Sequence, residues 1–109
     1  MSLAYFITGT DTDVGKTTVA AGLLYAARTA GLSTAAGKPV ASGCEKTAQG
    51  LRNADALALM AQCTIGLKYD EVNPLAFEPA IAPHIAAREA GVALTVESLL
   101  APMRHILAQ

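Results

Sequence analysis

Hydrophobic positions along the chain alternate between short unbroken runs and helical stripes. Leu3-Ala4-Tyr5-Phe6-Ile7 is a continuous apolar stretch ended by Thr8-Gly9, the pattern of a strand buried on both faces of a parallel sheet. From about residue 16 to 30 the side chains Val19, Ala20, Leu23, Leu24 and Ala27 recur at helical spacing, and Gly31 stands where that helix should stop. A second strand is expected through Ser33-Thr34-Ala35-Ala36 to Val40, closing a strand-helix-strand unit ahead of the polar stretch Ser42-Gly43-Cys44-Glu45-Lys46-Thr47. Asn53 suits the cap of a further helix with Leu57, Met60 and Ala61 on one face and Asp55 in its first turn. Val72-Asn73-Pro74-Leu75-Ala76-Phe77 reads as a short extended segment that Pro74 confines to an edge or a loop. Toward the end, Val96, Leu99, Leu100, Met103, Ile106 and Leu107 repeat at helical spacing behind a Thr95 cap, and Pro102 must kink that helix or start a new one.

Composition narrows the class without changing this picture. The 109 residues are 52% hydrophobic and 16% charged, which suits one folded unit rather than a disordered tail. Eight basic against nine acidic residues give a formal charge of -1, so the chain carries no electrostatic footprint for nucleic acid or an anionic membrane and small-molecule chemistry is expected. Cys44 and Cys63 form no CxxC pair and no Cys/His cluster, which argues against a disulfide framework or a zinc site. The apolar start is too short for a signal or membrane segment and lacks a basic region before it, so a cytoplasmic location is expected.

The chemistry is concentrated in Gly9-Thr10-Asp11-Thr12-Asp13-Val14-Gly15-Lys16-Thr17-Thr18, which follows the expected first strand and opens the expected first helix. That is the context of a phosphate-binding loop. Successive backbone N–H groups in such a loop converge on a polyphosphate, and the positive end of the helix dipole adds to them. Gly15 allows close backbone approach, Lys16 suits the β- and γ-phosphates of ATP, and the Thr17 hydroxyl suits Mg²⁺. Asp13, Val14 and Thr18 complete the expected ATP contacts. Five residues separate Gly9 from Gly15, and Thr10 takes the usual place of the first glycine, so the loop is a variant.

Three segments, Gly-Thr-Asp-Thr-Asp-Val-Gly-Lys-Thr, then Lys38-Pro39-Val40-Ala41-Ser42-Gly43, then Leu51-Arg52-Asn53-Ala54-Asp55-Ala56-Leu57, agree in order and spacing with the dethiobiotin synthetase family. Val72-Asn73-Pro74 and Pro83-His84-Ile85 also resemble it. The resemblance implies an α/β, P-loop NTPase-like fold with a mostly parallel sheet and flanking helices, of which residues 1–109 are the amino-terminal portion of a single domain. It implies an ATP- and Mg²⁺-dependent cyclo-ligase of biotin biosynthesis, which closes the ureido ring of dethiobiotin from 7,8-diaminopelargonic acid and carbon dioxide. It further implies a homodimer. Asp13 stands where the family often has Glu.

By this resemblance Lys38 is the catalytic lysine, with its ammonium facing the γ-phosphate and a carbamate from the carboxyl end of the second strand, the sheet edge at which such sites form. Ser42 and Thr12 become substrate contacts, although both are also ordinary turn residues. Asp55 matches a metal- and nucleotide-binding aspartate, and it equally suits a helix first turn on charge grounds alone. His84 and the two cysteines are assigned no chemistry.

Partitioning or positioning ATPases share the variant loop, but they carry a lysine five positions before Lys16, where this chain has Asp11. A cobyrinate-type amide synthase would bring a glutaminase domain, and a non-enzymatic binding module would require the 109 residues to be the whole protein. Because two or three strands leave unpaired edges and open apolar faces, the segment expressed alone is expected to fold poorly and to be catalytically silent.

Overall fold

In the computed structural model, residues 4–7 and 15–108 are described. Helix α1 (Lys16–Thr29) forms where the stripe of apolar side chains lies. It ends in a Schellman closure: the Gly31 N–H donates to the Arg28 carbonyl and the Leu32 N–H to that of Ala27, both at 3.0 Å. Gly31 makes this possible with φ 86°, a left-handed conformation that a Cβ would disfavour.

After α1 come strands β1 (Val40–Ala41), β2 (Glu45–Thr47) and β3 (Gly50–Arg52), helices α2 (Ala54–Met60) and α3 (Tyr69–Val72), strand β4 (Leu75–Ala76), and helices α4 (Pro83–Glu89) and α5 (Val96–Leu107). β1 pairs with β4 in parallel, Val40 opposite Leu75 and Ala41 opposite Ala76. β2 and β3 make an antiparallel hairpin with Thr47 opposite Gly50. The α/β class is therefore the expected one.

Strand content differs from expectation in two places. Residues 4–7 form no strand: Tyr5 and Phe6 are 77% and 88% exposed, and no ladder runs beside them among the described residues. An apolar run becomes a strand only through a neighbour that completes its hydrogen bonds. The second strand is shorter and later than expected, because residues 32–38 lie outside regular structure and β1 begins at Val40. The early part of that segment is held by side-chain bonds instead. Buried Thr34 donates from Oγ1 to the Gln62 carbonyl at 2.6 Å, and its N–H donates to Thr64 Oγ1 at 2.8 Å.

Helix starts follow local chemistry more closely. Asn53 caps α2, its Oδ1 accepting from the Ala56 N–H at 3.0 Å. Thr95 caps α5 in a reciprocal pair with Ser98: the Ser98 N–H donates to Thr95 Oγ1 at 3.0 Å and the Thr95 N–H to Ser98 Oγ at 2.9 Å. Pro83 opens α4 at a position where a missing N–H costs nothing. Pro102 neither ends α5 nor starts a new helix, since α5 runs through it to Leu107.

The face of α2 that turns inward also differs from expectation. Ala56 and Leu59 are buried and Leu57 is 46% exposed. Among the described residues two small apolar clusters form the interior. Ala56, Tyr69 and Val72 pack with Met60 and Leu67, while Phe77, Ala86 and Ala87 pack with Val40, Leu75 and Leu94. No helix among the described residues is long and apolar enough to cross a membrane.

Candidate active site

Gly15 caps α1 with φ 84° and ψ 15°. Its carbonyl accepts the first helical bond, from the Val19 N–H at 2.9 Å, so Lys16, Thr17 and Thr18 form the first turn. That turn carries no acidic residue, and the partial positive charge of a helix start favours an anion. Lys16 and Thr17 are half-buried and Thr18 is exposed. Thr12, Asp13 and Val14 lie outside the described residues, as does Asp11.

Lys38 is held by its backbone on both sides. Its N–H donates to the Val72 carbonyl at 2.7 Å, and its carbonyl accepts from Asn73 Nδ2 at 2.8 Å. Because β1 begins at Val40, Lys38 precedes the amino end of the strand, whereas the sequence places it near a carboxyl end. Ser42 is the residue directly after β1 and is half-buried. The short strand thus separates Lys38 from Ser42, and the parallel pairing with β4 fixes both flanks.

Cys44 follows at the end of this loop, buried, with its N–H donating to the Phe77 carbonyl at 3.0 Å. Burial pushes its thiol above the ordinary range, offset in part by a hydrogen bond with the Phe77 backbone and by the charge of Lys38. Cys44 thus packs in the interior, and its burial disfavours the thiolate form that a nucleophile needs.

Asp55 is exposed in the first turn of α2, one residue past the Asn53-capped start. α1 packs against α2, and Arg28 near the end of α1 donates to the carbonyl of Ala61, the C-cap of α2, at 3.3 Å. Thr17 and Asp55 thus open two helices in mutual contact. Among the described residues there is no group of three or more His, Cys, Asp or Glu suited to hold a metal ion. Mg²⁺ takes only one or two carboxylates and fills its remaining positions with phosphate, hydroxyl and water. A hydroxyl and one carboxylate therefore fit Mg²⁺ bound with a nucleotide, and do not fit a metal held by protein alone.

One depression among the described residues lies away from these side chains. It is shallow, ≈ 520 Å³, and runs between Leu51, Phe77, Ala86 and Val92, with Glu78 and Glu89 among its lining. Neither Lys16, Lys38, Ser42 nor Asp55 lines it, so it is not where the candidate residues converge.

A family model described as an AAA domain matches residues 4–108. The chain belongs to this AAA domain family. It is 70% identical over 105 residues to the ATP-dependent dethiobiotin synthetase BioD of Pseudomonas paraeruginosa (strain DSM 24068 / PA7), covering 96% of this chain and 46% of that protein. The protein of the same name from Cellvibrio japonicus (strain Ueda107) is 59% identical over 106 residues, covering 97% of this chain and 46% of the relative. For the Aeromonas salmonicida (strain A449) protein, also called ATP-dependent dethiobiotin synthetase BioD, the figures are 52% over 106 residues, 97% and 47%. The chain spans about half the length of the curated relatives it matches.

In this AAA-domain chain, sequence reasoning singled out Lys38 but not the groups that hold it. Asn73 stands out in the sequence only as part of the Val72-Asn73-Pro74 segment, and Tyr69 carries no signal of its own. The available signal was a polar amide inside a run that otherwise packs in the interior, since a buried amide requires hydrogen-bonding partners.

Proposed function

We propose that the chain is the amino-terminal portion of a single P-loop α/β domain in an ATP-dependent dethiobiotin synthetase, acting in the cytoplasm as a homodimer. The observation that carries this is the 70% identity to the Pseudomonas paraeruginosa enzyme across 96% of the chain. The helix that opens at Lys16 behind left-handed Gly15 makes it chemically coherent.

In the proposed reaction one amine of 7,8-diaminopelargonate attacks carbon dioxide, loses a proton and becomes a carbamate. The γ-phosphoryl group of ATP passes to a carbamate oxygen, and ADP leaves. The neighbouring amine then attacks the carbamoyl carbon and gives up a proton, the C–O bond to phosphate breaks, and the cyclic urea forms with release of inorganic phosphate. Mg²⁺, when bound, would supply charge neutralisation on the phosphates.

The chain's own residues bind and orient. Lys16 and the first-turn backbone of α1, with Asp13, Val14, Gly15 and Thr18, hold the nucleotide. Thr17 and Asp55 would hold Mg²⁺. Lys38 neutralises charge that accumulates between carbamate and transferring phosphoryl group, and Ser42 and Thr12 hydrogen-bond the substrate.

The test is to incubate the full-length protein with ATP and Mg²⁺, with and without the diamine and bicarbonate, while following ADP and dethiobiotin. Coupled formation of both products, dependent on diamine and bicarbonate, is expected. ATP hydrolysis indifferent to them would favour a switch-type ATPase and overturn the proposal.

A further inference from the structure

Two interior polar side chains lie between the Lys38 segment and helix α2, and the proposed chemistry uses neither. Asn73 is 2% exposed and Tyr69 8%. The Tyr69 hydroxyl accepts from the Asn53 N–H at 2.6 Å and donates to Asn73 Oδ1 at 2.8 Å. Asn73 Nδ2 in turn donates to the carbonyls of Lys38 at 2.8 Å and Leu75 at 3.3 Å. The direction of every bond is forced. A backbone N–H only donates, so the hydroxyl accepts there and must pass its own proton to Oδ1, and two carbonyls only accept, so the NH₂ group must face them. An aspartate of the same shape would set a carboxylate oxygen against two carbonyl oxygens.

This chain of bonds ends on the backbone of Lys38. Together with the bond from the Lys38 N–H to Val72, it ties both polar backbone groups of the lysine to two successive residues. It begins at the cap of α2, the helix that carries Asp55. The Tyr69 ring is itself pinned, with the Arg52 guanidinium carbon 4.2 Å from its centroid.

We propose that Asn73, oriented by Tyr69, is a positioning residue that acts through Lys38 by holding its backbone in the register needed for phosphoryl transfer. This rests on Lys38 being the catalytic lysine of the proposed reaction. Neither Asn73 nor Tyr69 touches substrate; they act because a flexible four-carbon stem delivers its ammonium accurately only from a fixed backbone. A displacement of about 1 Å at a reacting group can lower the rate on the order of a hundredfold.

The experiment uses the full-length protein and the variants Asn73→Asp, Tyr69→Phe and Lys38→Ala, with each of the first two also combined with the third. Turnover is read as dethiobiotin formation, residual rates as single turnovers, nucleotide affinity by direct binding, and folding by thermal midpoint. Asn73→Asp is expected to lower kcat at least tenfold with nucleotide affinity within twofold, and to lower the residual rate of Lys38→Ala by less than twofold. If Asn73→Asp does not fold, Tyr69→Phe carries the test, since it keeps the ring under Arg52 and removes only the hydroxyl; a loss of threefold or more that disappears without the Lys38 amine is expected. An equal loss with and without that amine shows a merely structural role and overturns the proposal, as does a folded variant with kcat within twofold of the unsubstituted protein. A Lys38→Ala protein with undiminished turnover overturns the catalytic role of Lys38 itself, and is told apart because it appears before Asn73 or Tyr69 is altered.

Discussion

Gly37→Ala tests how α5 is seated against the segment that carries Lys38. A Cβ on Gly37 would lie 2.5 Å from Met103 Sδ, 2.9 Å from Ile106 Cδ1 and 2.9 Å from Met103 Cε. Favourable carbon contacts lie at about 3.5–4.0 Å, so each approach is too close by roughly 1 Å. Two of the three atoms belong to the mobile end of Met103, which can rotate away; the third belongs to Ile106, which is buried. Overpacking of this kind costs about 1–3 kcal/mol. Against it, Gly37 is not among the glycines with positive φ, so alanine would gain about 0.4–1 kcal/mol from a less disordered unfolded chain. The clash wins, and a net loss of about 1 kcal/mol is expected.

Denaturant unfolding of the full-length protein measures it, with Met103→Ala and the double variant completing a cycle. Met103→Ala removes two of the three overlaps, so Gly37→Ala should cost less in that background, with a coupling of about 1 kcal/mol. A Gly37→Ala protein that is more stable than its parent, or that loses the same amount in both backgrounds, would show that α5 does not press on Gly37.

Three further outcomes are expected. Lys16→Ala should abolish nucleotide binding, because it removes the cation the proposed function sets on the β- and γ-phosphates; titration with a fluorescent ATP analogue measures this, and unchanged affinity would refute it. Asp55→Asn should raise the Mg²⁺ concentration needed for turnover severalfold while leaving the helix start in place, since Asn53 still caps α2; an unmoved metal dependence would make Asp55 a helix-end charge only. Glu71 receives the Lys68 N–H at 2.8 Å and sits 2.6 Å from His105 Nε2, and these bonds, the Lys68 backbone first, hold its carboxyl below the usual glutamate range. A depressed folded-state pKa gives stability that is present above the unfolded value and lost as pH falls through the folded one. The thermal midpoint should therefore fall as pH drops below about 4.3, the ordinary glutamate value, and Glu71→Gln should flatten that slope; an identical slope in the variant would refute the claim that the Lys68 and His105 bonds stabilise the Glu71 carboxylate.

What the sequence determined by itself is the set of features closed within a few residues. The start of α1 at Lys16, its stop at Gly31, the Asn53 and Thr95 caps and Pro83 at the head of α4 all depend on bonds between near neighbours in the chain, so residue identity and spacing were enough. The sequence also offered candidates for phosphate, metal or substrate, Lys16 and Thr17 through the loop pattern and Lys38, Ser42 and Asp55 through the family resemblance.

Tertiary structure decided what depends on distant partners. It gave residues 4–7 no strand partner among the described residues, began β1 at Val40 so that Lys38 precedes the strand, turned Leu59 rather than Leu57 inward, and folded the polar stretch near Lys46 into a hairpin with Gly50–Arg52. It also joined Asn53, Tyr69, Asn73 and Lys38 in one line of hydrogen bonds across 35 positions of sequence. The physical reason is the same in each case: a helix satisfies its backbone groups within itself, whereas a strand, a buried face and an interior amide are specified only when another part of the chain arrives to meet them.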